Sequence, residues 1–145
     1  MIVLDTNVLS ELWKLVPEPN VLTWIDAQLV ESLYLSAITV AELRFGIAAM
    51  PAGKRRTIYQ ERLEREVLPA FKGRVLAFDL ETSQAYAEFM ASARAAGQAI
   101  SKADGYIAAT AASRGFAVAT RDTSPFEAAG LSVINPWEPR ARQSR

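Results

Sequence analysis

The sequence predicts an α/β protein, a three-layer α/β/α sandwich around a central, mostly parallel sheet, and three observations carry that prediction. Short apolar runs suited to strands, at residues 1–5, 33–36, 74–78, 116–120 and 131–135, alternate with longer stretches of helical periodicity. The helical stretches close on Pro or Gly, at Pro51-Ala52-Gly53, Gly97 and Gly115. The chain has 145 residues, half of them apolar, which is enough for one domain with a core that needs no staples.

Residues 1–5 read as a central buried strand, with Asp5 at its C-terminal end. The following Thr6-Asn7-Val8-Leu9-Ser10-Glu11-Leu12 starts a helix, placing Asp5 at a junction rich in free backbone N–H groups. Pro17 and Pro19 break that helix, and residues 21–30 form a second with Trp24, Ile25 and Leu29 on its apolar side. After the strand at 33–36 comes ITVAELRFGIAAM, residues 38–50, a helix apolar on nearly every face whose only charges are Glu42 and Arg44. Such a helix is expected to be buried in the fold or in a subunit contact.

Residues 54–71 read as a polar helix interrupted near Pro69. Its Lys54, Arg55, Arg56, Arg62 and Arg65 are interleaved with Glu61, Glu64 and Glu66, so a solvated face accounts for them better than a phosphate site. The strand at 74–78 ends at Asp79, and a helix over 81–96 turns Tyr86, Phe89 and Met90 inward. Ser101 caps the next helix, whose third residue is Asp104 and whose apolar stripe continues through Ile107, Ala108 and Ala111. A strand at 116–120, a short helix at 124–129 and a last strand at 131–135 complete the pattern. The helical share is high for such a fold, so one or two helices, 38–50 above all, are expected to pack on another subunit. Residues 1–137 form the domain; 138–145, with three arginines and no large apolar residue, form a basic tail expected to be disordered.

Sixteen basic and sixteen acidic residues cancel, so any polyanion must be held by a local patch and not by bulk charge. Absence of cysteine removes disulfides, thiolate nucleophiles and Cys-ligated zinc, and suits a reducing cytoplasm. Absence of histidine removes Ser-His-Asp hydrolysis, His-pair ribonuclease chemistry and His-ligated metals. Carboxylates, with hard cations as their natural cofactors, are left as the groups for chemistry near neutral pH. The N-terminus carries no signal-peptide pattern and no apolar run reaches membrane-spanning length, so a cytoplasmic protein is expected.

Asp5, Glu42, Asp104 and Asp122 each stand at a strand end or in the first turns of a helix, positions that a parallel sheet gathers along one edge. The helix from Ser101 returns directly into a strand, so Asp104 and Asp122 should face each other there. Each acid also fits ordinary capping: Asp5 and Asp122 as N-caps, and Thr39-Val40-Ala41-Glu42 and Ser101-Lys102-Ala103-Asp104 as capping boxes. Four converging carboxylates repel, and one or two divalent metals keep them ionised most economically. Mg²⁺ accepts a few carboxylates, retains waters and leaves room for substrate phosphate; it can activate water for in-line attack on a phosphodiester. Thr6, Asn7, Ser101 and Thr120 are placed to touch metal waters or phosphate oxygens.

Leu4-Asp5-Thr6-Asn7, the segment from Ser36 to Leu43, the segment from Ala103 to Ala111 and Ala119-Thr120-Arg121-Asp122, in this order and spacing, resemble a PIN domain of the VapC toxin group, most closely its FitB-like branch. The resemblance spans Met1 to Trp137. It implies the toxin component of a type II toxin-antitoxin system: a Mg²⁺- or Mn²⁺-dependent endoribonuclease that hydrolyses RNA phosphodiester bonds with metal-activated water. Asp5, Glu42, Asp104 and Asp122 map onto the family's acidic cluster, with Asp5 and Asp104 as metal ligands. The resemblance further implies a homodimer and a small antitoxin that enters the acidic site, with operator DNA bound only through that antitoxin.

The rival reading is a catalytically weak FitB-like partner that dimerises and presents a DNA-binding antitoxin for transcriptional regulation. An aspartate-nucleophile phosphatase would need an acid two residues after Asp5, where Asn7 stands. A phospho-accepting receiver domain would need a lysine ending a late strand, and those strands end in Thr120-Arg121-Asp122 and Asn135-Pro136-Trp137.

Overall fold

A computed structural model describes residues 1–139. Strands β1 (Ile2–Leu4), β2 (Leu33–Ser36), β3 (Val75–Leu76), β4 (Ala117–Ala119) and β5 (Val133–Ile134) form one sheet in the order β3-β2-β1-β4-β5, and every pairing is parallel. Helices α1 (Thr6–Leu12), α2 (Pro19–Asp26), α3 (Ala37–Ala48), α4 (Lys54–Arg62), α5 (Leu68–Ala70), α6 (Leu80–Ala95), α7 (Lys102–Ala112) and α8 (Ser124–Ala128) fill the connections. Strand order runs outward from β1 to β3, then resumes on the other side of β1 with β4. That reversal makes the C-terminal ends of β1 and β4 a topological switch point, where open α/β sheets form a crevice.

Alternation along the central strands builds the layers. Leu4 and Ala119 face a core containing Val8, Val21, Trp24, Leu35, Val40 and Leu43, whereas Val3 and Val118 face Ile107, Ala108, Ala111 and Phe126 on the other side. Both faces are covered, which is why these strands are apolar throughout. Gly105 lets α6 and α7 approach closely beside Asp104: a Cβ there would come within 2.7 Å of Met90 Sδ and 3.1 Å of the Tyr86 ring.

Three sequence expectations need correction. Pro19 begins α2 instead of only breaking its predecessor, because the Glu18 side chain accepts from the Asn20 and Val21 N–H groups and leaves N1 to a residue that needs no donor. That helix stops at Asp26, not Val30. The interruption expected near Pro69 lies upstream, as a π-helical turn at Leu63–Val67. A proline cannot donate to the carbonyl four residues back, and its ring crowds that carbonyl, so the preceding turn widens. Burial of α3 within the fold covers only one side: Thr39, Val40, Leu43 and Ile47 are buried, but Phe45 is 75% exposed. The tail assignment for residues 140–145 lies outside the described residues. Among the described residues no helix is long and apolar enough to cross a membrane.

Candidate active site

Asp5 follows β1 and caps α1, its Oδ1 accepting from the Thr6 N–H at 2.8 Å. The capping alternative is therefore correct for this residue, but it uses one oxygen only. Oδ2 accepts from the Thr120 hydroxyl at 2.8 Å, across the switch point from the end of β4. Thr120 in turn accepts from Asn7 Nδ2 at 3.3 Å and from the Asp122 N–H at 3.1 Å. One buried hydroxyl thus joins β1, α1 and the loop that carries Asp122.

Glu42 is not a capping residue. Helix α3 begins at Ala37, with Ser36 as N-cap accepting from the Thr39 N–H at 3.0 Å, so Glu42 lies well inside it. The Glu42 carboxylate accepts from the Thr6 hydroxyl at 2.5 Å, and Thr6 Oγ1 lies 3.1 Å from Thr39 Oγ1. Ser36 and Thr39, both fully buried, form the floor of this network, with Ser36 Oγ donating to Thr39 Oγ1 at 3.2 Å. Their role escaped the sequence reading; the available signal was a serine at the end of β2 with a threonine three residues on.

Ser101 caps α7, accepting from the Asp104 N–H at 3.1 Å. Asp122 caps nothing: α8 has Thr123 at its N-cap position, without a side-chain hydrogen bond, and Asp122 is exposed. The structure therefore brings all four predicted acids to one edge, Asp5 buried at the centre and Asp122 at the periphery.

Electrostatics records that convergence. Burial pushes the Asp5 carboxyl up to about 6, against the hydrogen bonds from Thr120 and Thr6, with Asp104 and Glu42 adding repulsion. Burial also raises Asp104, opposed by the Ser101 hydroxyl and reinforced by Asp122 and Glu42. Among the described residues none of the four acids forms an ion pair; the pairs present involve Glu11, Glu64, Glu66 and Asp79. The four acids thus share one acidic pole, with Lys14 and Arg121 lining the wall beside Asp5 and Asp104 without pairing to them. No three of the acids, among the described residues, close around a point as a ready cage. The donor set fits a hard cation that keeps most of its water and takes one or two carboxylates directly.

Replacing Thr120 with Val tests the hub of this network. The variant takes one partner each from Asp5 Oδ2, Asn7 Nδ2 and the Asp122 N–H, while Asp5 Oδ1 keeps the Thr6 N–H and Asn7 Oδ1 keeps the Arg121 N–H. It should lose about 1–3 kcal/mol of stability in urea unfolding and move the Asp5 titration, followed by carboxyl NMR shifts, to higher pH. Unchanged stability and titration would show that Thr120 is only filler.

The PIN domain family profile matches residues 2–131. A VapC ribonuclease, Y4jK, of Sinorhizobium fredii is 74% identical over 139 residues, covering 96% of this chain and 99% of that protein. Toxin FitB of Neisseria gonorrhoeae is 50% identical, covering 94% of this chain and 99% of that protein. A solved structure of FitAB bound to an IR36 DNA fragment contains a chain with TM-score 0.92 and 48% identity, covering 95% of this chain and 96% of that one. The strand order, the acidic edge at the switch point and these likenesses agree that the chain belongs to the PIN-domain family, with the VapC and FitB toxins.

Proposed function

We propose that this protein is the toxin of a toxin-antitoxin pair and a Mg²⁺- or Mn²⁺-dependent endoribonuclease. The observation that carries the reading is the buried Asp5 at the switch point, repelled by Asp104 and Glu42 and, among the described residues, without an ion pair. Asp5 and Asp104 would hold the ion directly, with Glu42 and Asp122 acting through water. When bound, the metal supplies Lewis-acid activation of water and neutralisation of charge on the phosphate.

The chain's own residues do the rest. Thr120 and the Thr6 N–H orient the two Asp5 oxygens in different directions, and Thr6 fixes Glu42 through its hydroxyl. Glu42 and Asp122 are the carboxylates left to accept the proton of an attacking water. Asn7, braced against Thr120 and the Arg121 N–H, keeps the β4 loop in register with α1.

Antitoxin-free protein should cut single-stranded RNA in Mg²⁺ or Mn²⁺ and stop in EDTA. An inert wild type with an unblocked site would favour the rival role, a partner that presents a DNA-binding antitoxin, a role compatible with the DNA-bound FitAB complex. Operator DNA would then be reached through the antitoxin and not through this chain.

A homodimer is also part of the proposal. The outward side of α3 carries Phe45, and Arg44 is already bound to Glu64 at 2.8 Å, so an apolar strip is left for a second copy. Sedimentation should report a dimer that Phe45→Glu dissociates. A wild-type monomer at all micromolar concentrations would remove the dimer from the account.

A further inference from the structure

A polyanion must reach four carboxylates on a chain whose overall charge is zero, so the cations that admit it have to be local. Asp5 and Asp104 share the wall of a cavity of about 400 Å³ with Lys14, Arg121 and Trp137. The Arg121 side chain lies with its guanidinium carbon 5.4 Å from the centre of the Trp137 ring, and among the described residues it forms no ion pair. It is exposed and adjacent in sequence to both Thr120 and Asp122. A guanidinium laid on an indole face keeps its in-plane donors free for phosphate.

Lys14 lines the same wall, and a buried acid holds it there. Glu11 is 5% exposed and lines the same cavity, its carboxyl held below the usual range by the Lys14 bond first and, more weakly, by the Arg121 charge. One of its oxygens binds Lys14 Nζ at 2.8 Å and the other accepts from the Glu18 N–H at 3.0 Å. Such a bond to a side chain still 58% exposed fixes the ammonium's position without consuming its remaining donors. Lys14 also lines the neighbouring groove with Thr6, Glu42, Trp13 and Tyr59, so it stands where that groove meets the cavity over Asp5.

Resting on the ribonuclease reading above, we infer that Arg121, seated on Trp137, and Lys14, anchored by Glu11, are positioning residues that grip RNA phosphates next to the scissile bond. Neither is a catalytic residue. Two cations beside the acids carry the backbone of a single strand across the negative pole.

The test uses a fluorescein-labelled, random-sequence 12-nucleotide RNA pool and anisotropy, in the Asp104→Asn background with Mg²⁺, so that cleavage does not blur binding. Arg121→Gln and Lys14→Gln should each raise Kd about fivefold and each lower the slope of log K against log salt by about 0.7. Arg121→Lys should keep the slope and lose part of the affinity, and Lys14→Arg, which retains the pair with Glu11, should bind as the parent does. Lys72→Gln, an exposed cation ahead of β3 and remote from both cavity and groove, should change nothing. In the cleavage-competent background the two Gln variants should raise KM with kcat largely kept.

Asp104-dependent cleavage with Kd, KM and salt slope unchanged in the double Gln variant would overturn the assignment and leave the ribonuclease reading standing. RNA binding that the double variant loses, in a protein that never cleaves, would overturn that reading and support the assignment. A parent that ignores RNA but binds a poly-glutamate 12-mer would overturn it in favour of an acidic protein segment.

Discussion

Asp5→Asn should make the metal-free protein more stable at pH 7.5, raising its thermal midpoint by about 3–6 °C, and should confer no advantage at pH 4. The native pKa of Asp5 is about 6 against 3.8 for an unperturbed aspartate, so the folded state binds this proton more tightly than the unfolded state does. Stability therefore falls as pH rises: nothing is lost below about pH 4, the loss accumulates between 3.8 and about 6, and it is complete above that window. At about 1.4 kcal/mol per pH unit the full displacement amounts to about 3 kcal/mol. Asparagine removes the charge but must find a partner for its amide among donors arranged for a carboxylate, so a net gain of about 1–2 kcal/mol is expected. Calorimetry in chelated buffer across pH 4–8 measures it. A variant equally destabilised at both ends of that range would show that Asp5 serves only as a helix cap.

Asp104→Asn should reduce Mn²⁺-dependent RNA cleavage about 100-fold or more while the protein stays folded. Asp104 is the third residue of α7, a helix held by its own cap at Ser101 and by the buried Ile107, Ala108 and Ala111, none of which the substitution touches. What changes is charge: the variant removes repulsion from Asp5 and takes away one of the two ligands proposed for the metal. Its thermal midpoint in the absence of metal should accordingly stay level or rise, even as activity disappears. Activity within a few-fold of wild type would remove Asp104 from the metal site.

Much of this site was legible in the sequence because strand ends and helix starts are marked by local chemistry. Asp5 after an apolar strand, Asp104 behind a serine cap and Asp122 beyond the last central strand follow from short-range signals and parallel topology. Glu42 was half legible. Two serine or threonine caps, Ser36 and Thr39, compete for the start of α3; the Thr39 N–H bond to Ser36 shows that the earlier one is used, and only the tertiary contact with Thr6 shows what Glu42 does instead. Long-range pairings leave no such trace. Nothing in the sequence joins Thr120 to Asp5, 115 positions apart, or lays Arg121 on Trp137. The charged run at 54–65 reads as a solvated face, and the cations on the wall of the acidic cavity are instead the isolated Lys14 and Arg121, which no local pattern marks.

The central claim is that Asp5, Glu42, Asp104 and Asp122 make one divalent-cation site and not four separate structural carboxylates, and thermal unfolding with and without Mn²⁺ tests it most directly. An ion that binds only the folded cluster at a hundred times its Kd adds about 2.7 kcal/mol, about 5 °C or more for a domain of this size. Antitoxin-free wild type at pH 7.5 should show that rise in millimolar Mn²⁺, with Mg²⁺ acting likewise, and Asp5→Asn with Asp104→Asn should abolish it. A wild-type midpoint that does not move with either metal, in protein confirmed free of antitoxin, would contradict the claim.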